Sequence, residues 1–150
     1  MKEKTKKKTK IALIVAFVLI AGISAALVAT NPSDKSKHWK AVEEKINNEK
    51  FDISKLDLTE EEHTMYTSYM SSSGTNANIM DKVVSPKFDV ENYGFYSVGY
   101  IKVKGWKKKI STGFLNKVST IDANEIAQAI LEAHRHEMAE SAKNASQQPE

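Results

Sequence analysis

The sequence predicts an α+β protein: an N-terminal transmembrane helix, then a small domain in which an antiparallel β-hairpin or sheet packs on helices, with a C-terminal helix. Three observations predict this architecture. Residues 11–30 contain no charge, residues 93–115 are rich in aromatic and β-branched side chains, and residues 122–142 repeat apolar side chains at helical spacing. A chain of 150 residues has room for one such domain and little more.

The uncharged segment at residues 11–30 predicts a signal anchor that crosses a membrane once. A helix of about twenty residues rises about 30 Å, which is the thickness of a hydrocarbon core. Six lysines precede residue 11 and predict that this end stays in the cytoplasm, because cationic flanks resist translocation. The predicted organisation is a cytoplasmic basic tail (1–10), the transmembrane helix (11–30), an extracytoplasmic α+β domain (31–143) and a disordered tail (144–150).

A cleaved signal peptide is the alternative to an anchor. Such a peptide has a charged start, a shorter apolar centre and small residues at the cut, and residues 24–26 (Ser-Ala-Ala) offer that site. Cleavage near Ala26 would release a secreted soluble protein. The apolar run continues through residues 27–29 (Leu-Val-Ala), which favours a retained anchor.

The charge distribution excludes a general polyanion-binding role for the folded part. The chain has 22 Lys and Arg against 19 Asp and Glu, but six lysines and one glutamate lie in the first ten residues. The remainder therefore carries a net charge of about −2, and no nucleic-acid partner is expected. Cysteine is absent from the sequence, which excludes disulfides, thiolate zinc sites, cysteine nucleophiles and a lipoprotein anchor.

Helices are predicted on both sides of the β-rich region. Ser33 is the expected N-cap of a helix at residues 34–49. Residues 59–62 (Thr-Glu-Glu-Glu) match a capping box that opens a short helix. Asp122 is the expected start of the last helix. The predicted apolar face of that helix comprises Ala123, Ala127, Ile130, Leu131, His134 and Met138.

Residues 93–103 are the strongest candidate for a β-strand. Lys104-Gly105 is expected to turn the chain so that residues 106–115 return as the partner strand, although the lysine spacing does not match a simple two-residue turn. The sheet is expected to pack on the helices near 34–49 and 122–142. The predicted core comprises Trp39, Val42, Ile46, Val98, Ile101, Val103, Phe114, Ile130 and Leu131.

Four short motifs occur in a recognisable order. They are Thr-Asn-Pro-Ser at 30–33, Phe-Tyr-Ser-Val-Gly at 95–99, Lys-Gly at 104–105 and Ser-Thr-Gly-Phe-Leu-Asn at 111–116. This order resembles a bacterial family of short, N-terminally membrane-anchored proteins with a domain of unknown function. The resemblance implies a single-pass protein of the bacterial cytoplasmic membrane with its N-terminus inside. It implies no activity, and the helix from Ala123 onward is an addition to the pattern.

No catalytic, cofactor-binding or metal-ligating residue is predicted. His134 and His136 lie about 200° apart on a helix, whereas two ligands on one face are three or four residues apart. Asp89 opens a segment resembling a calcium loop, but Tyr93 and Tyr100 stand where that loop needs oxygen ligands. The sequence contains no nucleophile elbow and no glycine-rich phosphate loop.

Five lysines surround a tryptophan at the predicted hairpin tip. Such a tip can contact anionic lipid headgroups or an anionic wall polymer, since each lysine near a charged surface contributes ~1 kcal/mol and tryptophan favours interfaces. The alternative is that lysines on an edge strand oppose strand-to-strand aggregation. The candidate site comprises Lys102, Lys104, Trp106, Lys107, Lys108 and Lys109.

Three hypotheses for function follow. The first is a non-catalytic interaction or accessory protein of the cell envelope with a protein partner, because the chain has a predicted anchor and no reactive constellation. The second is a binding module for anionic lipid or wall polymer that uses the hairpin lysines. The third is an enzyme with an unrecognised site.

Overall fold

A four-stranded sheet packs against two helices. The computed structural model describes residues 2–49, 53–64, 67 and 84–146, and it describes side chains of the first helix from residue 13 onward. The elements are α1 (Lys2–Ala29), α2 (Lys35–Asn48), β1 (Phe88–Asn92), β2 (Ser97–Val103), β3 (Trp106–Phe114), β4 (Lys117–Thr120) and α3 (Ala123–Ala145), with short 3₁₀ turns at Ile53–Lys55 and Ser85–Lys87.

Helices α2 and α3 each begin at an aspartate that caps free backbone N–H groups. Asp34 accepts a hydrogen bond from the backbone N–H of Ser36 at 2.9 Å, so the cap of α2 is Asp34 and not the predicted Ser33. Asp122 accepts from the backbone N–H of Glu125 at 2.9 Å, which confirms the predicted start of α3. A cap of this kind stabilises a helix by about 1 kcal/mol.

The four strands form one meander in the order β1-β2-β3-β4, and every neighbouring pair is antiparallel. The turn at Lys104-Gly105 joins β2 to β3 as predicted, and Gly105 has a φ of 76°, a left-handed conformation that favours glycine. A bulge between Gly99 and Tyr100 shifts the register of this pair. Val103 lies opposite Trp106 and the register is regular as far as Lys109, so the loop is a two-residue turn and the expected mismatch of the lysine spacing is wrong.

The edge strands β1 and β4 are absent from the prediction. Residues 93–96, predicted as the beginning of a strand, instead form the turn between β1 and β2, in which the Tyr93 N–H donates to the Tyr96 carbonyl at 2.9 Å. The second turn, between β3 and β4, holds Leu115 and Asn116 at φ values of 48° and 61°. Short edge strands carry too few residues for a clear alternation, so the pattern alone does not reveal them.

The core lies between one face of the sheet and helices α2 and α3. The predicted core residues Val42, Ile46, Val98 and Ile101 are buried, and Trp39, Val103, Ile130 and Leu131 are partly buried. Phe114 is 47 % exposed, so its assignment to the core is wrong. The adjacent Gly113 faces Pro32 and also His38 of α2, so alternation along β3 directs Phe114 to the opposite face of the sheet. Buried apolar residues that the prediction missed are Val84, Phe88, Ile110, Ala123, Ile126, Ala129 and Ala133.

The inner face of α3 is rotated from the predicted one. Alanines at 123, 129 and 133 and Ile126 are buried, whereas Met138 is 60 % exposed. Small side chains let a helix lie close to its neighbours, so the alanines mark the contact face better than the larger residues do. The helix continues to Ala145, which places residues 144 and 145 in a helix and not in the predicted disordered tail. Residues 147–150 lie outside the described residues.

The predicted capping box at residues 59–62 forms and is tied to α3. The Thr59 N–H donates to Glu62 Oε2 at 2.8 Å, and the Glu62 N–H donates to Thr59 Oγ1 at 3.2 Å. Glu62 also accepts two hydrogen bonds from the Arg135 guanidinium, each at 2.8 Å. The guanidinium and the capping N–H together hold the pKa of Glu62 at about 2, well below its ordinary value.

Replacing Glu62 by glutamine is expected to lower the free energy of unfolding by about 1 kcal/mol at pH 7, because it removes a bidentate, partly buried ion pair. The folded-state pKa lies below the unfolded value of 4.5, so this contribution is full above pH 4.5 and is lost as the pH falls toward 2. Urea unfolding at pH 7 and pH 2.5 measures the effect. The gap between wild type and Glu62→Gln should narrow at pH 2.5, while Glu61→Gln, at an exposed neighbour, should cost little at either pH.

The predicted membrane span requires correction. Within the part of the chain that the structure describes, no helix is both long enough and apolar enough to cross a bilayer. Helix α1 begins at Lys2, inside the predicted basic tail, so the lysine-rich start and the uncharged run form one helix of 28 residues and not a separate tail and span. For the described residues, the predicted single-pass anchor at 11–30, the membrane as partner and the cytoplasmic-membrane localisation are therefore wrong.

Candidate functional site

The candidate lysine site divides between the two faces of the sheet. Lys107 pairs with Glu91 of β1 at 3.0 Å, and Lys102 lies 3.8 Å from Asp89 on the same strand. Both of these pairs lie on the face away from the helices. The structure therefore does not bring the lysines together as one patch.

The remaining members of the site face α3 or solvent. Lys108 pairs with Glu132 at 3.1 Å, and Lys104 pairs with Glu140 at 3.3 Å. The Trp106 ring stacks on His136 of the same helix, with ring centroids 5.5 Å apart. The Lys109 side chain is exposed. These contacts make the segment part of the packing between the hairpin and α3.

Local acids pair with most of the hairpin lysines. Strand β4 pairs only with residues 111–114 of β3, so among the described residues the lysine segment 106–109 is an edge on that side, and the interpretation that its lysines oppose aggregation stays a prediction. The carboxylate of Glu91 holds the pKa of Lys107 above its ordinary value, and the Lys107 ammonium also lies 4.6 Å from the centroid of the Tyr100 ring. Ion pairs of this exposure contribute ~0–1 kcal/mol each, and they leave little uncompensated positive charge.

A second cluster of polar side chains is buried in the centre of the domain. His38 of α2 is fully buried, with Nδ1 2.8 Å from Ser111 Oγ and Nε2 2.9 Å from both Ser97 Oγ and the Pro32 carbonyl oxygen. The Ser97 hydroxyl donates to the same carbonyl at 2.8 Å. We name these four residues the histidine cluster. It joins the segment after α1 to α2, β2 and β3.

The partners of His38 determine its tautomer. A carbonyl oxygen only accepts, so Nε2 carries the hydrogen and donates toward Pro32, while Nδ1 accepts from the Ser111 hydroxyl. Burial lowers the pKa of His38, and the hydrogen bond to the Pro32 carbonyl opposes that shift. The imidazole is therefore neutral at pH 7, and every one of its polar atoms has a partner.

The histidine cluster combines serine and histidine but lacks other features of a nucleophilic site. The exposed fractions of Ser97 and Ser111 are 0 % and 2 %, so a substrate cannot reach either hydroxyl. No carboxylate contacts His38 among the described residues, whereas a catalytic histidine is usually oriented by one. The buried hydrogen bonds of the histidine cluster are those of a structural contact between segments of the fold.

Two glycines make room for the histidine cluster. Ser97 lies opposite Gly113 and Gly99 opposite Ser111 in the β2–β3 pair. A Cβ added at Gly113 would lie 2.3 Å from Ser97 Oγ and 2.8 Å from His38 Nε2, and one added at Gly99 would lie 2.2 Å from Ser111 Oγ. The sequence signal for this arrangement is a Ser-x-Gly step in each strand, at 97–99 and 111–113. The sequence alone predicts no role for His38.

The segment after α1 is fastened to the two turns at one end of the sheet. The Asn31 side-chain amide donates to Asn92 Oδ1 at 2.8 Å and to the Gly94 carbonyl at 2.9 Å. The backbone N–H of Asn116 donates to the Thr30 carbonyl at 2.6 Å. The Asn31 side-chain oxygen is buried and has no hydrogen-bond partner among the described residues. We name residues 30–33 with these contacts the α1 joint.

Large apolar side chains are exposed around the α1 joint. Each is 43–48 % exposed, and together they form what we call the apolar end of the sheet: Tyr93, Phe95, Tyr96, Phe114 and Leu115. The rings of Tyr93 and Tyr96 stack with centroids 5.0 Å apart. The adjoining helix α1 also exposes large apolar side chains, among them Phe17 at 73 % and Ile23 at 61 %. The sequence predicts that the residues of the apolar end lie in strands at 93–103 and 106–115, and it also predicts Phe114 in the core.

A cleft of about 380 Å³ lies between the β2–β3 turn and α3, lined in part by Lys104, His134, His136 and Glu140. Within the described ranges, no three His, Cys, Asp or Glu side chains come together as metal ligands.

Comparison with protein-family models, curated proteins and solved structures finds no significant match to this chain. The resemblance to the bacterial family therefore remains a prediction.

Proposed function

We propose that this protein is a non-catalytic interaction module whose contact surface is the apolar end of the sheet. The observation that carries the proposal is the cluster of five large apolar side chains, each 43–48 % exposed, around one end of a well-packed sheet. A soluble domain rarely leaves such a cluster uncovered unless another molecule covers it.

The composition of the apolar end indicates the chemistry of its partner. The two turns read Tyr-Gly-Phe-Tyr at 93–96 and Phe-Leu-Asn at 114–116, without a charged residue. The adjoining part of α1, residues 13–29, is also uncharged. An uncharged apolar surface binds a partner protein through an equally apolar face, such as the exposed side of a hydrophobic helix.

The tyrosines suit this role. Tyr93 and Tyr96 supply large contact areas with few rotatable bonds, and the Tyr93 hydroxyl donates to Glu91. That carboxylate raises the pKa of Tyr93 far above its ordinary value, so the ring stays uncharged at any physiological pH. Aromatic anchors surrounded by a polar rim are typical of interaction hot spots.

Site-specific photocrosslinking in the native host tests the proposal. A photoreactive phenylalanine analogue replaces Phe95 or Phe114 in a tagged full-length chain, and the matched control carries it at Lys104, at the opposite end of the sheet. The expected result is one reproducible protein crosslink from positions 95 and 114 and none from position 104. Equal labelling from both ends, or no labelling from the apolar end, would contradict the proposal.

The hairpin lysines offer a second candidate function, the binding of an anionic lipid or wall polymer. The exposure of the Lys104 side chain, 78 %, favours it, while the four ion pairs weaken it. We expect the triple variant Lys107→Gln/Lys108→Gln/Lys109→Gln to bind a soluble polyphosphate within twofold of wild type. Isothermal titration with full-length protein measures this, with Lys6→Gln/Lys7→Gln/Lys8→Gln as the matched control. A tenfold loss of polyphosphate affinity in the hairpin variant, without such a loss in the control variant, would instead support binding at the lysine site.

A further inference from the structure

We propose that His38 is an acid-sensitive latch: protonation of its imidazole releases the α1 joint from the sheet while the sheet itself stays folded. The inference goes beyond the proposed function and holds whether or not the apolar end binds a partner. It rests on the hydrogen-bond geometry of the histidine cluster and on its position between α1 and the sheet.

The cluster accommodates a neutral imidazole and penalises a charged one. In the neutral form, the Ser111 hydroxyl donates to Nδ1 of His38. In the charged form Nδ1 carries a hydrogen and must donate, so the Ser111 hydroxyl has to turn and loses its acceptor. The described contacts of Ser111 Oγ include no other acceptor. A buried hydroxyl without a partner adds to the cost of burying the imidazolium itself.

Among the described residues, no opposite charge offsets the imidazolium. The contacts of His38 come from Pro32, Ser97 and Ser111, and no charged side chain contributes to its pKa shift. The charged residues on the elements around it are exposed or partly exposed, and their described contacts do not include the imidazole. They are Asp34, Lys35, Lys37, Lys40, Glu43, Glu44 and Lys45 on or beside α2, Asp89 and Glu91 on β1, Lys102 on β2, Lys107, Lys108 and Lys109 on β3, Lys117 on β4, and Asp122 and Glu125 at the start of α3.

The α1 joint is the part that can open at the smallest cost. Water reaches His38 if the Pro32 carbonyl moves away, because that carbonyl covers the Nε2 side of the ring. Opening breaks the two hydrogen bonds of the Asn31 amide, the one to the Thr30 carbonyl and the two that His38 and Ser97 make to the Pro32 carbonyl, and it exposes the Asn31 oxygen, which has no partner among the described residues. Opening the β2–β3 pair would instead break a ladder that joins seven residue pairs.

The direction of the pH dependence follows from linkage. The folded pKa of His38 lies below the value of 6.5 that the opened, hydrated imidazole has. The opened form therefore binds more protons as the pH falls below 6.5, and the closed joint loses stability in that range. Above pH 6.5 the neutral His38 makes its full contribution to the stability of the closed joint. Asp34, Glu49, Glu62 and Glu91 also have lowered pKa values, but their contributions are lost below pH 4.5, outside the tested range.

Hydrogen exchange by NMR on the full-length protein tests the latch. The Asn116 amide, bonded to the Thr30 carbonyl, reports on the joint, and the Ile121 amide, bonded to the Ile110 carbonyl at 3.0 Å, reports on the sheet. Between pH 7 and pH 5 we expect the protection factor of Asn116 to fall roughly tenfold or more, after correction for intrinsic exchange, while that of Ile121 changes less than twofold.

Two variants separate the latch from other titrations. His38→Gln keeps a donor for Pro32 and cannot be charged, so the protection of Asn116 should become independent of pH. His136→Gln removes a surface histidine that stacks on Trp106 and should leave the pH dependence intact. An unchanged protection factor in wild type between pH 7 and 5 would overturn the proposal. A pH dependence that persists in His38→Gln, or one that disappears in His136→Gln, would overturn it as well.

Discussion

Replacing Phe88 by alanine is expected to lower the free energy of unfolding by about 3–5 kcal/mol, the largest effect of any single truncation among the described residues. The Phe88 side chain is 1 % exposed and packs against the Trp39 ring, with centroids 5.3 Å apart. It also fills the space that the missing side chain of Gly99 leaves. Truncation opens a cavity that the β1–β2 pair cannot close without losing its register. Urea unfolding at pH 7 measures the change.

Phe114 is the matched control, because sequence reasoning placed it in the core and the structure does not. It is 47 % exposed, and Phe114→Ala should change the free energy of unfolding by less than about 1 kcal/mol. Equal losses for the two variants, or a larger loss at Phe114, would show that the described core is incorrect.

Replacing Gly113 by alanine is expected to cost about 3 kcal/mol or more. An added Cβ would lie 2.3 Å from Ser97 Oγ, 2.7 Å from Pro32 Cγ and 2.8 Å from His38 Nε2, and all three atoms are buried. The methyl group must push the histidine cluster apart and break its hydrogen bonds. The cause is steric, because Gly113 is not among the glycines with a positive φ. Thermal and urea unfolding of the purified variant measure the loss.

Two further variants make this prediction specific. Gly22→Ala, at a helical glycine with no atom near an added Cβ, should not destabilise the protein and can raise helix stability by ~1 kcal/mol. Gly113→Ala combined with Ser97→Gly removes the closest clash and should recover part of the loss. A cost at Gly113 no greater than at Gly22 would mean that the cluster is not closely packed.

Much of the domain could be predicted from local pattern. The helix at residues 35–48, the capping box at 59–62, the start of α3 at Asp122 and the turn at Lys104-Gly105 depend on contacts within a few residues. Capping, helical periodicity and turn chemistry act over that range, so the sequence displays them directly.

The errors concern segments that are short or whose packing partners a local pattern does not reveal. The inner face of α3 is defined by alanines, which hydrophobic periodicity underweights. The edge strands β1 and β4 are short, and their pairing partners are supplied by β2 and β3. For the described residues, an uncharged run also failed to establish a membrane span. In each case the deciding quantity is what packs on a segment, and composition does not contain it.

The two candidate surfaces, the hairpin lysines and the apolar end, also depend on strand pairing that the sequence does not display. The five hairpin lysines are adjacent in sequence, but alternation along the strands and two sets of acids distribute them over both faces of the sheet. The apolar end is made by two turns about twenty residues apart, and only the pairing of Ser97 with Gly113 brings them together.

The sequence by itself determined helices α2 and α3, the start of α3 at Asp122, the central hairpin and the absence of cysteine chemistry, because these depend on neighbouring residues or on composition. The tertiary structure decided where His38 lies: two Ser-x-Gly steps, 14 residues apart, become opposed in the β2–β3 pair and leave a space that the imidazole fills. A buried polar group is stable only when its hydrogen-bond partners are all in place, and the partners of His38 come from three separate segments.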